Sequence, residues 1–159
     1  NYGNLCQRVN AFAIKNCSSK IPDKIKFQKD DLILLDKYKN DLSNIRSKIE
    51  NQNINFYINY IVNSLFEANK YFNDQEPWKK KNDPIRLNTI VYTTFEIVRK
   101  ISFLLYPIIP ESSLKALKIF NIKEKDINLK SVSNNEFLIK GNAINQINIL
   151  FKKAEKVND

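Results

Sequence analysis

The residues best equipped for chemistry lie together in the stretch NDQEPWKKKND, Asn73 to Asp83. It holds Trp78, the only tryptophan in 159 residues, with Pro77 before it and Lys79, Lys80 and Lys81 after it. A flat ring steadied by proline can stack on a flat base, and ammonium groups beside it can reach phosphates; single-stranded RNA is read in this manner. The residue types leave two other uses open. A lone Trp can plug the end of a helix bundle, and an aromatic beside lysines can dock an acidic protein loop.

Catalytic chemistry finds little to work with. There are no histidines, which removes the commonest general base, the commonest metal ligand and every Ser-His-Asp or Cys-His arrangement. With Gly3 and Gly141 the only glycines, no GxxxxGK[ST] or GxGxxG phosphate cradle exists. The carboxylate pairs Asp30 with Asp31 and Glu124 with Asp126 read as a helix start and a solvated loop. Cys6 and Cys17 lack zinc or redox spacing, and no export signal opens the sequence, so reduced thiols and a cytoplasmic location are expected. No apolar run approaches the ~20 residues that span a bilayer, and no membrane is expected as a partner.

The 26 Lys and Arg against 17 Asp and Glu give a net charge of +9, which favours a polyanionic partner such as nucleic acid. The chain is also saturated with Asn, Ile and Lys, the residues of AT-rich codons, so base composition contributes to the same excess. It opens on NYGNLCQRV, already periodic and without Met, and is expected to be a piece of something larger.

The elements that must position the Trp stretch follow from periodicity. Leu5, Val9, Phe12, Ala13 and Cys17 make one face of a first helix. From Lys29 to Gln52, Leu32, Leu35, Leu42, Ile45 and Ile49 predict a second, with Asp30 and Asp31 at its positive end. From Asn53 to about Phe72, Ile54, Ile58, Ile61, Leu65 and Ala68 predict a third, widened by Tyr57, Tyr60, Phe66 and Tyr71. Asp83 then Pro84 reads as an N-cap and first helical position, and Leu87, Ile90, Val91, Thr94, Val98, Ile101 and Leu105 carry a fourth helix to Tyr106. Pro107 breaks it and a short fifth starts after Pro110. Residues 121 to 142 are weakly patterned, with alternating fragments such as FLI, and AINQINILFKKAEK closes the chain as a marginal helix or extended arm. The result is an all-α, up-and-down bundle of four or five helices.

Three stretches resemble the anticodon-binding helix bundle of class I methionyl-tRNA synthetases. NYGNLCQRVNAF is similar to that domain's opening, ANKYFNDQEPWKKKND to its Ala-Asn-x-Tyr then Pro-Trp-Lys segment, and LLYPIIPESSLKALKIFNI to its Leu-x-Pro-x-x-Pro hinge. With ILFKKAE they occur in the family's order across nearly the whole chain. The resemblance implies one anticodon-binding domain over residues 1–159, with a catalytic domain elsewhere in the parent. It implies tRNA with a CAU anticodon as partner, ATP and Mg²⁺ for the parent, and no cofactor in this segment. It further implies that Trp78 stacks on the first-position cytosine, with Asn4, Arg8, Lys15 and Lys79 as RNA contacts. Some members carry an Asn and an Arg one turn apart where Ala11 and Lys15 stand here. Lysine lacks a bidentate fork, so Lys15 is expected on phosphate. Asn69, Tyr71 and Pro77 are expected to shape the segment, Tyr71 from the core. The same bundle in a leucyl, isoleucyl, valyl or cysteinyl synthetase, and a basic helical adaptor, are the rival readings.

Overall fold

The computed structural model describes residues 2–151. Five α-helices carry the architecture: α1 (Tyr2–Asn16), α2 (Lys29–Glu50), α3 (Ile54–Gln75), α4 (Pro84–Leu105) and α5 (Pro110–Leu117). Their starts follow local side-chain chemistry. Asp31 accepts the Gln28 amide at 2.8 Å at the head of α2, and Asn53 accepts the Phe56 amide at 3.1 Å at the head of α3. Asp83 accepts the Arg86 amide at 3.0 Å with Pro84 in the first helical position of α4, the side-chain acceptor satisfying an otherwise orphaned amide.

Helices α1 to α4 run up, down, up and down, with α4 at the centre. It packs against α1, α2, α3 and α5, and every residue from Thr89 to Leu104 is buried. Three of these are charged: Glu96, Arg99 and Lys100. The sequence pattern showed only the apolar stripe; the opposite face is covered by residues 129–138. Arg99 donates to Glu96 at 2.6 Å and to the Ser131 and Asn134 carbonyls at 2.9 and 2.6 Å, while Lys100 donates to the Val132 carbonyl at 2.6 Å. Glu96 in turn accepts the Leu138 amide at 2.7 Å. These bonds hold the 3₁₀ turn Leu129–Ser133 and the residues after it against α4, while the preceding 3₁₀ turn Glu124–Asp126 is closed by its own local bonds, among them the Lys123 amide on Asp126 at 3.1 Å. Phe137 is half-buried against the core, Leu138 buried and Ile139 exposed, so the fragment does not alternate, and the described residues form no strand.

The predicted stripes of α2 and α3 are buried only in part: Leu35, Ile45, Tyr57, Ile61, Ala68 and Tyr71 lie in the core as expected, but other members do not. Leu32, Ile49, Ile54, Ile58 and Phe66 are exposed, and the core takes Leu34, Leu35, Tyr38 and Ile45 from α2 and Tyr57, Ile61, Ala68, Tyr71 and Phe72 from α3. Tyr57 bonds the Leu104 carbonyl, and Tyr71 donates to Asp31 at 2.5 Å, so each phenol can be buried with its hydroxyl satisfied. Asp31 is accordingly more than a helix-start acid: it is fully buried and paired with Arg86 at 2.7 Å.

Residues 143–151 return along α1 as an extended arm. The buried Asn10 donates to the Asn145 carbonyl at 2.9 Å and accepts the Ile147 amide at 3.1 Å. Phe151 sits edge-on to Tyr2 and closes on Gly3, where an added Cβ would stand 3.0 Å from its ring. The rest of the ILFKKAE motif, from Lys152, lies outside the described residues. No helix among the described residues is long and apolar enough to cross a membrane.

Candidate nucleic-acid interface

The Trp stretch sits where α3 ends and α4 begins. The residue before a proline is disfavoured in the right-handed helical region, and Glu76 adopts φ 46°, ψ 58° instead, which stops α3 at Gln75. Pro77–Lys79 then forms one 3₁₀ turn, closed by the Lys79 amide on the Glu76 carbonyl at 2.9 Å and the Lys80 amide on the Pro77 carbonyl at 3.0 Å. The turn buries Pro77 and leaves Trp78 41% exposed.

Beneath the indole is a stack of rings. Trp78 meets Phe72 edge to face, with centroids 6.1 Å apart and planes at 69°. Phe72, 2% exposed, meets Phe12 of α1 at 5.9 Å and 86°. Arg8 lies over the same Phe72 ring, 5.5 Å from its centroid, and donates to Asn73 at 2.7 Å. The structure therefore joins Arg8 and Trp78 through Phe72, a residue that sequence reasoning passed over as part of the α3 stripe. Its signal was present: Phe72 lies six positions before Trp78 and closes the apolar face of α3.

Asn4, Arg8, Ala11 and Lys15 recur at steps of four, three and four, and so share one face of α1. Asn4, Ala11 and Lys15 are exposed and Arg8 is half-buried. Among the described residues, the Asn4 and Lys15 side chains make no hydrogen bond or ion pair. Lys79 pairs with Glu76 at 2.7 Å, both side chains being exposed, an arrangement of small worth that a phosphate can replace. Lys81 is exposed and unpaired among the described residues, and Lys80 is half-buried. Asn69 bonds the Leu65 carbonyl of its own helix at 2.9 Å. The result is a part-exposed ring, a guanidinium one ring away, and lysines beside it in the chain, of which Lys79 and Lys81 are exposed. No group of three or more His, Cys, Asp or Glu that could hold a metal ion occurs among the described residues.

The profile of the anticodon binding domain of methionyl tRNA ligase matches residues 21–159. The chain belongs to this family. Among curated methionine–tRNA ligases, that of Brucella suis is 36% identical over 121 residues, covering 76% of this chain and 24% of its own length. That of Rickettsia felis is 31% identical over 171 residues, covering 96% of this chain and 31% of its own length. The apo methionyl-tRNA synthetase of Mycobacterium tuberculosis superposes with a TM-score of 0.87 at 28% identity, over 96% of this chain and 31% of that one. The same enzyme bound by methionyl-adenylate gives 0.86 at 29%, over 94% and 30%. The chain thus spans about a quarter to a third of the length of the methionyl-tRNA ligases it matches.

Proposed function

We propose that this domain, taken as residues 1–159, reads the anticodon of a tRNA for a methionine–tRNA ligase, with Trp78 stacking on the first base of CAU. The single observation that carries the reading is the exposed indole on a hydrogen-bonded 3₁₀ turn, backed by a buried phenylalanine that Arg8 also covers. A stacking platform needs exposed ring surface and support from behind; Trp78 is 41% exposed and meets Phe72 edge to face. Arg8 then supplies donors to base edge or phosphate, and Asn4, Lys15 and Lys79 line the approach of the backbone. Lys79 exchanges Glu76 for phosphate at little cost.

The remainder of the parent is proposed to carry the catalytic domain, which activates methionine with ATP and Mg²⁺ and transfers it to the tRNA in the cytoplasm. The M. tuberculosis relative solved with methionyl-adenylate supports that assignment. The test is binding of the chain and of Trp78→Ala to a CAU anticodon stem-loop and to one with the first anticodon base changed, at two salt concentrations. The proposal expects a preference for CAU and a loss of about 1–3 kcal/mol on removing the ring, the usual worth of base stacking. Equal binding of both loops by both proteins, weakening only with salt, would overturn it in favour of a generic basic surface. A preference for a loop bearing a leucine, isoleucine, valine or cysteine anticodon would reassign the substrate.

A further inference from the structure

The Trp-bearing segment Glu76–Asp83 is anchored at both ends by one buried side chain. Arg86, in the first turn of α4, donates to Gln75 at 2.6 Å, the last residue of α3. The same guanidinium holds Asp31 of α2 through two bonds, of 2.7 and 3.0 Å. Tyr71 of α3 and the Gln28 amide complete the carboxylate at 2.5 and 2.8 Å. Asp31 is fully buried and the Arg86 side chain 8% exposed. One planar fork therefore ties three helix ends together at the base of the 3₁₀ turn.

Such a buried pair is a poor means to stability alone. Desolvating both charges offsets most of their attraction, and apolar replacements of similar volume are often at least as stable. What the fork supplies is geometry: a bidentate guanidinium fixes distance and direction together. The turn needs that. Glu76 is held in a left-handed conformation that a non-glycine residue adopts only when its surroundings enforce it, and Trp78 leans on Phe72 while keeping 41% of its surface in solvent.

We propose that Asp31 and Arg86 are positioning residues for Trp78, clamping the ends of its turn and so setting the plane the indole presents. That this plane meets an anticodon base rests on the function proposed above; the clamp itself does not.

Trp78 is the only tryptophan, so indole emission reports its position directly. In Asp31→Asn and Arg86→Lys, at parental helix content by circular dichroism, Trp78 anisotropy is expected to fall and acrylamide quenching to rise. Stem-loop affinity is expected to fall about tenfold, within the range of coupling between members of one network. In a Trp78→Ala background the same substitutions are expected to cost less than about twofold, because their effect travels through the ring. Gln75→Ala leaves the ion pair intact and removes only the tie to α3, so it is expected to loosen Trp78 without lowering the melting temperature. It decides the question if the charge variants fail to fold. Parental anisotropy and quenching in every folded variant, or the same affinity loss with and without Trp78, would overturn the positioning role. Parental affinity of Trp78→Ala alone would instead remove the anticodon reading and leave the fluorescence comparison to decide the clamp.

Discussion

Phe72→Leu is the most informative single change to the ring stack. It removes two edge-to-face pairs, with Trp78 at 6.1 Å and Phe12 at 5.9 Å, and the Arg8 contact at 5.5 Å. Each aromatic pair is worth about 0.5–1.5 kcal/mol beyond its buried area, and a half-exposed cation–π contact adds about 0.5–1 kcal/mol. Leucine keeps most of the apolar volume, so the cavity contribution stays small. The expected destabilisation is about 1.5–4 kcal/mol, the sum of those contacts. It is read by urea unfolding, followed in parallel by far-UV circular dichroism and Trp78 emission. Below the transition, emission should already be red-shifted, because the indole has lost its support while the helices stand. Destabilisation under about 0.5 kcal/mol with parental emission would refute the reasoning, since surface-like tolerance is incompatible with a supporting ring.

Other consequences concern the buried polar groups. Burial opposes ionisation of Asp31, but hydrogen bonds from Arg86, Tyr71 and the Gln28 amide outweigh it and hold the carboxyl below the ordinary range. That contribution is present above the unfolded value of about 3.9 and lost as pH falls through the folded one. The stability advantage of the parent over Asp31→Asn should therefore shrink below about pH 4 in an acid-unfolding series. Desolvation, reinforced by Arg99 and partly countered by Glu96 and Asp36, lowers Lys100 to about 7. The unfolded chain then binds more protons between there and about 10.4, so stability should rise with pH across that window in the parent but not in Lys100→Met. Asn10→Ala removes both bonds that hold the arm. It should cost about 1–3 kcal/mol, the range for leaving buried polar groups unsatisfied, and speed hydrogen exchange at the Ile147 amide.

The helices were legible because their ends are written locally: Asp83-Pro84, Asn53 and the Pro107 and Pro110 breaks each act on neighbouring backbone. The faces of α2 and α3 were less legible. Ile54, Ile58 and Phe66 look like core by hydrophobicity yet stay exposed, whereas Tyr57 and Tyr71 of the same stripe are buried as expected, their hydroxyls finding acceptors on distant elements. A periodicity count has no access to those acceptors. The 3₁₀ turn Leu129–Ser133 and the residues after it had no pattern to read, since their order comes from Arg99, Lys100 and Glu96 reaching across from α4. At the site, Trp78 and its lysines stood out by composition, and Asn4, Arg8 and Lys15 by resemblance. Phe72 and the Asp31–Arg86 clamp did not, because each is defined by partners far away in sequence: 60 positions between Phe72 and Phe12, and |i−j| of 55 for the ion pair.

The most direct test of the central claim is the emission of Trp78 during titration with two stem-loops, one bearing CAU and one lacking only the first anticodon base. Stacking quenches an indole at van der Waals distance, whereas phosphate contacts alone do not. The account predicts saturable quenching by the CAU loop, and binding of the abasic loop that leaves emission nearly unchanged and is weaker by about 1–3 kcal/mol. Saturated binding of the CAU loop with emission unaltered, at an affinity shared by both loops, would contradict it.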